Sequence, residues 1–153
     1  MEKKIWKLII SILLPFLASF IGGLFTASSV STWYLELSKP SFNPPSWIFG
    51  PVWTILYLLM GISLYLVWIK KYDKLAFILF GIQLFLNALW SILFFGMKLP
   101  LFAFIEIIFL WIAILMTIIY FYRLNRISAY LLIPYLLWVS FAAVLNLAIF
   151  ILN

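Results

Sequence analysis

The sequence contains no cysteine and no histidine. Without cysteine there is no disulfide, no reactive thiolate and no Cys-ligated metal. Without histidine there is no imidazole base, no haem ligand of the usual kind and no typical zinc site. Charge is also scarce, at 9% of 153 residues, where soluble domains carry about a quarter. The net charge of +6 sits in short segments between apolar runs, so it is not a nucleic-acid signature and no nucleic-acid partner is expected. What is abundant is apolar surface: 68% hydrophobic residues, 21% aromatic with eight Trp, and a mean hydropathy of +1.24. That composition belongs to a polytopic membrane protein whose first partner is the lipid bilayer.

A spanning helix needs about 20 mostly apolar residues. Five such segments can be marked, at 8–27, 47–69, 75–95, 100–122 and 127–152. The expected fold is therefore all-α, a five-helix transmembrane bundle in one domain. Links at 70–74, 96–99 and 123–126 are short and predict antiparallel neighbours. The basic residues before the first span resemble a signal peptide, but no small-residue cleavage site ends the run before Gly22, so it reads as a retained helix. Pro15 predicts a mild kink there, and Ala18/Gly22 and Gly23/Ala27 have the small-xxx-small spacing of close helix packing. Asn43-Pro44 resembles a helix start with a capping side chain. Pro51 lacks the N–H for the Trp47 carbonyl, so the second helix starts late or bends.

Lys3, Lys4, Lys7, Lys70, Lys71, Lys74, Arg123 and Arg126 fall on one side of five alternating spans, and only Lys39 and Lys98 on the other. The positive-inside rule then places the N-terminus in the cytoplasm, with the C-terminus and the long loop outside. That loop, 28–46, is rich in aromatics and prolines, including Trp33, Tyr34, Lys39, Pro40, Pro44 and Pro45. Prolines fix φ and hold a loop in shape, and connections of this length are usually functional. It reads as a semi-rigid lid, in which Glu36 and Lys39 can pair at the surface.

Polar and aromatic residues inside the spans fall on shared helical faces. Gln83, Asn87 and Trp90 follow i, i+4, i+7 spacing, while Trp53, Tyr57, Gly61 and Tyr65 form a stripe that recurs every four residues, as do Pro134, Trp138, Ala142 and Asn146. Glu106 is the carboxyl embedded in the hydrocarbon region, about 9 Å in from Pro100 at 1.5 Å per residue, and such an acid is a functional candidate. Trp53, Asn87, Trp90, Glu106 and Asn146 all fall in the half nearer the long loop, which predicts a pocket there that opens outward under the lid. Trp6, Trp33, Trp47, Trp68, Tyr72, Tyr120, Tyr122 and Tyr130 sit near span ends, as interfacial aromatic belts do. Gln83 and Asn87 also fit plain interhelical bonding, worth about 0.6 to 2 kcal/mol.

Trp33-Tyr34, Lys39-Pro40-Ser41, Pro44-Pro45, Gly50-Pro51-Val52-Trp53, Leu56-Tyr57 and Met60-Gly61, then Gln83, Leu86-Asn87, Trp90 and Phe94-Phe95-Gly96, then Pro134-Tyr135, Trp138, Phe141-Ala142 and Leu145-Asn146, occur in that order. Together they closely resemble the translocator protein family, also called tryptophan-rich sensory proteins or peripheral-type benzodiazepine receptors. Phe42 stands where many relatives have Trp. A sterol-associated Tyr and basic residue are absent after Leu145-Asn146, so sterol recognition is not expected.

The resemblance implies a five-helix bundle, a homodimer, and a ligand cavity beneath the first loop. It implies binding of porphyrins such as protoporphyrin IX and of similar flat hydrophobic ligands, with Trp53, Tyr57, Gln83, Asn87, Trp90, Trp138, Ala142 and Leu145 as lining. Without Cys or His for axial ligation, metal-free porphyrin is the expected ligand, with no cofactor and no metal. A sensor or regulator of tetrapyrrole level is the expected role. The alternatives are a transporter of porphyrin or a related lipophile, and a light-dependent porphyrin-degrading enzyme using Trp53 and Trp138. A prokaryotic cell membrane is the expected location.

Overall fold

The computed structural model describes residues 2–153. Helix α1, Glu2–Val30, is followed by the short turn of α2, Trp33–Glu36. A 3₁₀ turn, Ser46–Ile48, leads into α3, Phe49–Lys70. Next, α4, Lys74–Ser91, runs straight into a π-helical turn, Ile92–Gly96. The chain ends with α5, Pro100–Leu124, α6, Arg126–Leu131, and α7, Ile133–Leu152. Five stretches are long and apolar enough to cross a membrane, with α6 and α7 sharing the last. The protein is a multi-pass, all-α membrane bundle.

Several element boundaries follow from local chemistry that the apolar pattern does not carry. The second span does not start at Asn43-Pro44: the Asn43 side chain accepts from the Tyr34 hydroxyl (2.8 Å) and donates to the Pro44 carbonyl (3.1 Å), so it braces the loop. The helix begins late instead, and Pro51 falls in the first turn of α3, where its missing N–H costs nothing. Asp73 caps α4 by accepting from the Ala76 N–H (3.0 Å), and Asn125 caps α6 by accepting from the N–H groups of Ile127 (3.0 Å) and Ser128 (3.4 Å). The fifth span is broken at Leu132, just before Pro134, whose ring disfavours helical continuity upstream. The loop at 28–46 is also less irregular than its composition suggests, since it includes the end of α1 and all of α2.

The short α3–α4 link does not make those helices packed neighbours. They touch sparsely, and α1 lies against both. The reason is Gly61: a Cβ there would come within 2.8 Å of the Ile12 Cα and 3.0 Å of the Ser11 carbonyl oxygen, so α1 presses its backbone onto α3. Pro15 contributes, because it leaves the Ser11 carbonyl without its helical donor and facing Gly61. Helix α1 nonetheless continues unbroken through Pro15. On the far side α4 packs on α5, α5 on α7, and α3 on α6, which closes the ring.

The half of this ring near the α3–α4 link is densely filled. Met60, Leu64, Ala76 and Phe121 are completely buried, and Phe80 stacks on Phe121 with ring centroids 6.2 Å apart. Ser63 and Ser128 exchange hydrogen bonds, each hydroxyl donating to the other's carbonyl at 2.8 Å. This satisfies two buried hydroxyls between α3 and α6.

Candidate functional site

The opposite half of the bundle encloses a cavity of about 310 Å³. Helix α3 contributes Phe49, Trp53 and Tyr57; α4 and its π turn contribute Trp90, Ser91, Phe94 and Phe95. Helix α7 contributes Trp138, Ala142, Leu145, Asn146 and Ile149, and the lid contributes Tyr34 and Ser46. Helix α1 forms the remaining wall with Ser19, Gly22, Gly23, Thr26 and Val30.

A buried polar layer underlies the chamber. The Tyr57 hydroxyl donates to Asn87 Oδ1 (2.6 Å), and Asn87 Nδ2 donates to the Tyr135 hydroxyl (2.9 Å). Trp53 stacks on Tyr57 (5.4 Å, 25°) and meets Tyr135 edge-on (6.2 Å), so this layer fixes the indole from below. Trp90 is fixed separately: its Nε1 donates to Asn146 Oδ1 (3.0 Å), whose amide donates to the Pro100 carbonyl (2.8 Å). Its ring stacks on Phe94 at 5.2 Å, within reach of the π turn that widens the end of α4. Trp138 packs against Phe49 and Phe141, and its buried Nε1 has no partner among the described residues.

Trp53, Tyr57, Trp90, Trp138, Ala142 and Leu145 are thus in the cavity wall. Asn87 and Gln83 are not. Asn87 is held behind Tyr57, and Gln83, 1% exposed, offers its Nε2 to Met60 Sδ (3.8 Å) one turn deeper. Their shared face points into the core layer and not the void. Glu106 is buried in α5, with neither carboxyl oxygen bonded among the described residues, and it too is outside the wall.

Within the lid, Tyr34 alone of the residues singled out from the sequence reaches the cavity. Burial pushes its phenol above the ordinary value, so it remains a donor to Asn43. Trp33 instead packs edge-on against Phe94 (5.6 Å). Lys39 does not pair with Glu36. Its Nζ donates to the Leu35 (3.3 Å) and Leu37 (3.0 Å) carbonyls and lies 4.9 Å over the Tyr34 ring. Pro40, Pro44 and Pro45 supply carbonyls to the loop's own turns, accepting from Asn43 N–H (3.0 Å), Asn43 Nδ2 (3.1 Å) and Ile48 N–H (3.0 Å). The Asn153 carboxamide then ties the loop to α7, accepting from the Ser38 N–H and donating to the Ser38 carbonyl, both at 2.9 Å.

The mouth of the chamber lies beside the last residue of the lid and runs down between α1 and α3. The exposed residues among its lining are Gly23 on α1, Ser46 where the lid ends, and Gly50 and Thr54 at the start of α3. A Cβ on Gly23 or on Gly50 would meet nothing within 4 Å. The cavity therefore opens sideways, at a seam kept wide by small side chains. No signal in the sequence separates the wall role of Ser19, Gly23 and Thr26 from ordinary small-residue packing.

The family model for the TspO/MBR family matches residues 11–152. The chain belongs to that family. It is 50% identical over 152 residues to the tryptophan-rich protein TspO of Archaeoglobus fulgidus, covering 98% of this chain and 99% of that one. It is 37% identical over 139 residues to the human translocator protein, covering 88% of this chain and 82% of that one. To the tryptophan-rich sensory protein of Cereibacter sphaeroides it is 36% identical over 121 residues, covering 79% and 77%. The matches span the lid, the cavity-bearing helices and the packed half alike, so the TspO/MBR relationship extends over the whole bundle.

Proposed function

We propose that this protein is a membrane-embedded receptor for porphyrins of the protoporphyrin IX type and similar flat hydrophobic molecules, acting as a sensor or regulator of tetrapyrrole level. The observation that carries the reading is the three-tryptophan chamber opening sideways between α1 and α3. Flat π-systems gain from offset and edge contacts with indole and phenol rings. Its volume of about 310 Å³ is at the lower end of ligand pockets, roughly 300–1,000 Å³. The chamber therefore takes one edge of a macrocycle while the rest projects through the seam. A lateral mouth also faces the medium in which such a molecule dissolves. Metal-free porphyrin suits a wall with neither histidine nor cysteine to offer as an axial ligand.

Under the positive-inside rule the chamber lies in the outer half of the membrane. Relatives bearing the names sensory protein and translocator protein are compatible with this role. A homodimer is the expected assembly.

Quenching of intrinsic tryptophan fluorescence by protoporphyrin IX, with the iron form alongside, tests the reading. Saturable binding of the metal-free form, weakened in Trp53→Ala and Trp138→Ala, is expected. Titrations identical in wild type and the double variant would refute it. Porphyrin flux in proteoliposomes would replace the receptor with a transporter. Photodecay of bound porphyrin faster than that of free porphyrin, and lost in Trp53→Phe with Trp138→Phe, would replace it with an enzyme.

A further inference from the structure

A second hollow, of about 380 Å³, lies at the opposite end of the bundle from the lid. It is bordered by Lys70 from the end of α3, Tyr122 and Arg123 from the end of α5, Asn125 between helices, and Arg126 and Ile127 from the start of α6. Three cations from three helices face one depression. None of them is bonded to a carboxylate among the described residues. Lys70 Nζ has only the Leu124 carbonyl, at 3.4 Å, and the Arg126 guanidinium lies over the Tyr122 ring at 5.5 Å. Asp73, at this end of the bundle and the carboxylate there among the described side chains, is engaged by the Ala76 N–H and the Tyr120 hydroxyl. The α6 backbone N–H groups nearby are already taken by Asn125. The positive charge open to an anion in the hollow is therefore that of the three side chains.

Beside the cations the surface is apolar and aromatic. Ile127 is 62% exposed, and the exposed rings of Tyr122 and Tyr130 meet edge-on at 6.0 Å. Tyrosines of this kind sit at headgroup level in membrane proteins. A hollow with clustered positive charge at the water side and an exposed aliphatic and aromatic edge at the bilayer side matches a phosphodiester with acyl chains attached. Basic depressions between spans are known to hold anionic headgroups. Scattered loop lysines would serve the positive-inside bias equally well, and that bias does not require three cations around a single depression.

We infer that the Lys70–Arg123–Arg126 hollow binds the headgroup of an anionic phospholipid. The site is separate from the aromatic chamber and does not depend on what that chamber binds. Attraction of about fivefold per basic residue near a charged headgroup gives roughly a hundredfold for three.

The full-length protein, released from detergent and titrated with phosphatidylglycerol under native mass spectrometry, should form a saturable one-to-one adduct. Phosphatidylcholine with the same acyl chains should not. The triple variant Lys70→Gln, Arg123→Gln, Arg126→Gln should weaken the adduct roughly a hundredfold. A charge-matched triple, Lys4→Gln, Lys71→Gln, Lys74→Gln, should leave it unchanged. If the first triple does not fold, Arg126→Gln alone should give about a fivefold loss. Equal losses in the two triples would mean diffuse charge, and equal binding of phosphatidylcholine would mean a site blind to headgroup. Displacement of the lipid by soluble glycerol phosphate at similar concentration would mean a site for a free phosphate ester. Each of these three results overturns the inference.

Discussion

The two halves of the bundle solve opposite problems with the same apolar alphabet. Toward the α3–α4 link, aliphatic side chains, a stacked Phe80–Phe121 pair and the exchanged Ser63–Ser128 bonds fill the space between helices. Toward the lid, rings are half-buried, α1 presents small side chains, and a cavity remains. Between them lies the Tyr57–Asn87–Tyr135 layer, which belongs to both. In lipid, helices associate through close packing and interhelical hydrogen bonds, since burial from water drives nothing there. The packed half can therefore hold the bundle together while the other half stays open to a guest.

The sharpest way to break this division is at Gly61. A Cβ there collides with the α1 backbone, which cannot yield as a flexible side chain could. Gly61→Ala should cost about 2 kcal/mol, read as a lower thermal midpoint in detergent, and Gly61→Leu should prevent folding. If Gly61→Ala melts like the wild type, the α1–α3 contact is not what seats α1.

The complementary change is Trp53→Ala. It should weaken protoporphyrin binding by about tenfold or more, from the loss of about 1.5–3 kcal/mol of buried side chain, with the thermal midpoint nearly unmoved. A large loss of stability with binding intact would reverse the roles of the two halves.

Asn87 tests the boundary between them. It touches no cavity, so its effect on a ligand must pass through Tyr57 and Trp53. Asn87→Ala and Tyr57→Phe should each weaken binding by about 1 kcal/mol, the scale of interhelical hydrogen bonds in membranes. The double variant should lose little more than either single one. Strict additivity would mean that Asn87 acts on its own.

The smallest effect is expected at Asp73. The Ala76 N–H, foremost, and the Tyr120 hydroxyl hold its carboxyl below the ordinary carboxylate value. A depressed folded pKa gives stability that is present above the unfolded value and lost as pH falls through the folded one. The wild type should therefore lose a little thermal stability on acidification below the usual carboxylate range. Asp73→Asn, which retains an acceptor for the cap, should show a flatter profile; an identical pH slope in the two would remove the effect.

Much of this was legible from periodicity. Hydrophobic length gave the five spans, and helical spacing put Trp53 with Tyr57, and Trp138 with Ala142, on faces that the structure turns to the cavity. Gln83 and Asn87 do share a face with Trp90, but a helical face is wider than one wall. Near its end the face meets the void, and a turn or two earlier it meets the core. The α1 wall was illegible because glycine, serine and threonine give the same pattern whether they admit a neighbouring helix or border a gap. The position of α1 between α3 and α4 was hidden for a related reason. Short links limit how far apart helix ends are, but the lateral order comes from contacts such as Gly61 on Ile12. Asp73, Asn125 and Pro134 were readable punctuation that apolar counting passes over.

The Asn153 carboxamide grips the Ser38 backbone with a pair of bonds and donates a third to the Ile149 carbonyl, at 2.8 Å. Ceiling and back wall are consequently clasped into a single rigid piece. Helix α1 is pinned at both ends of the chamber, at Gly61 and through the Ser29 hydroxyl on the Phe95 carbonyl (2.6 Å), so a large guest gains room only through the slot beside Gly23 and Gly50, where nothing stands within 4 Å of an added Cβ.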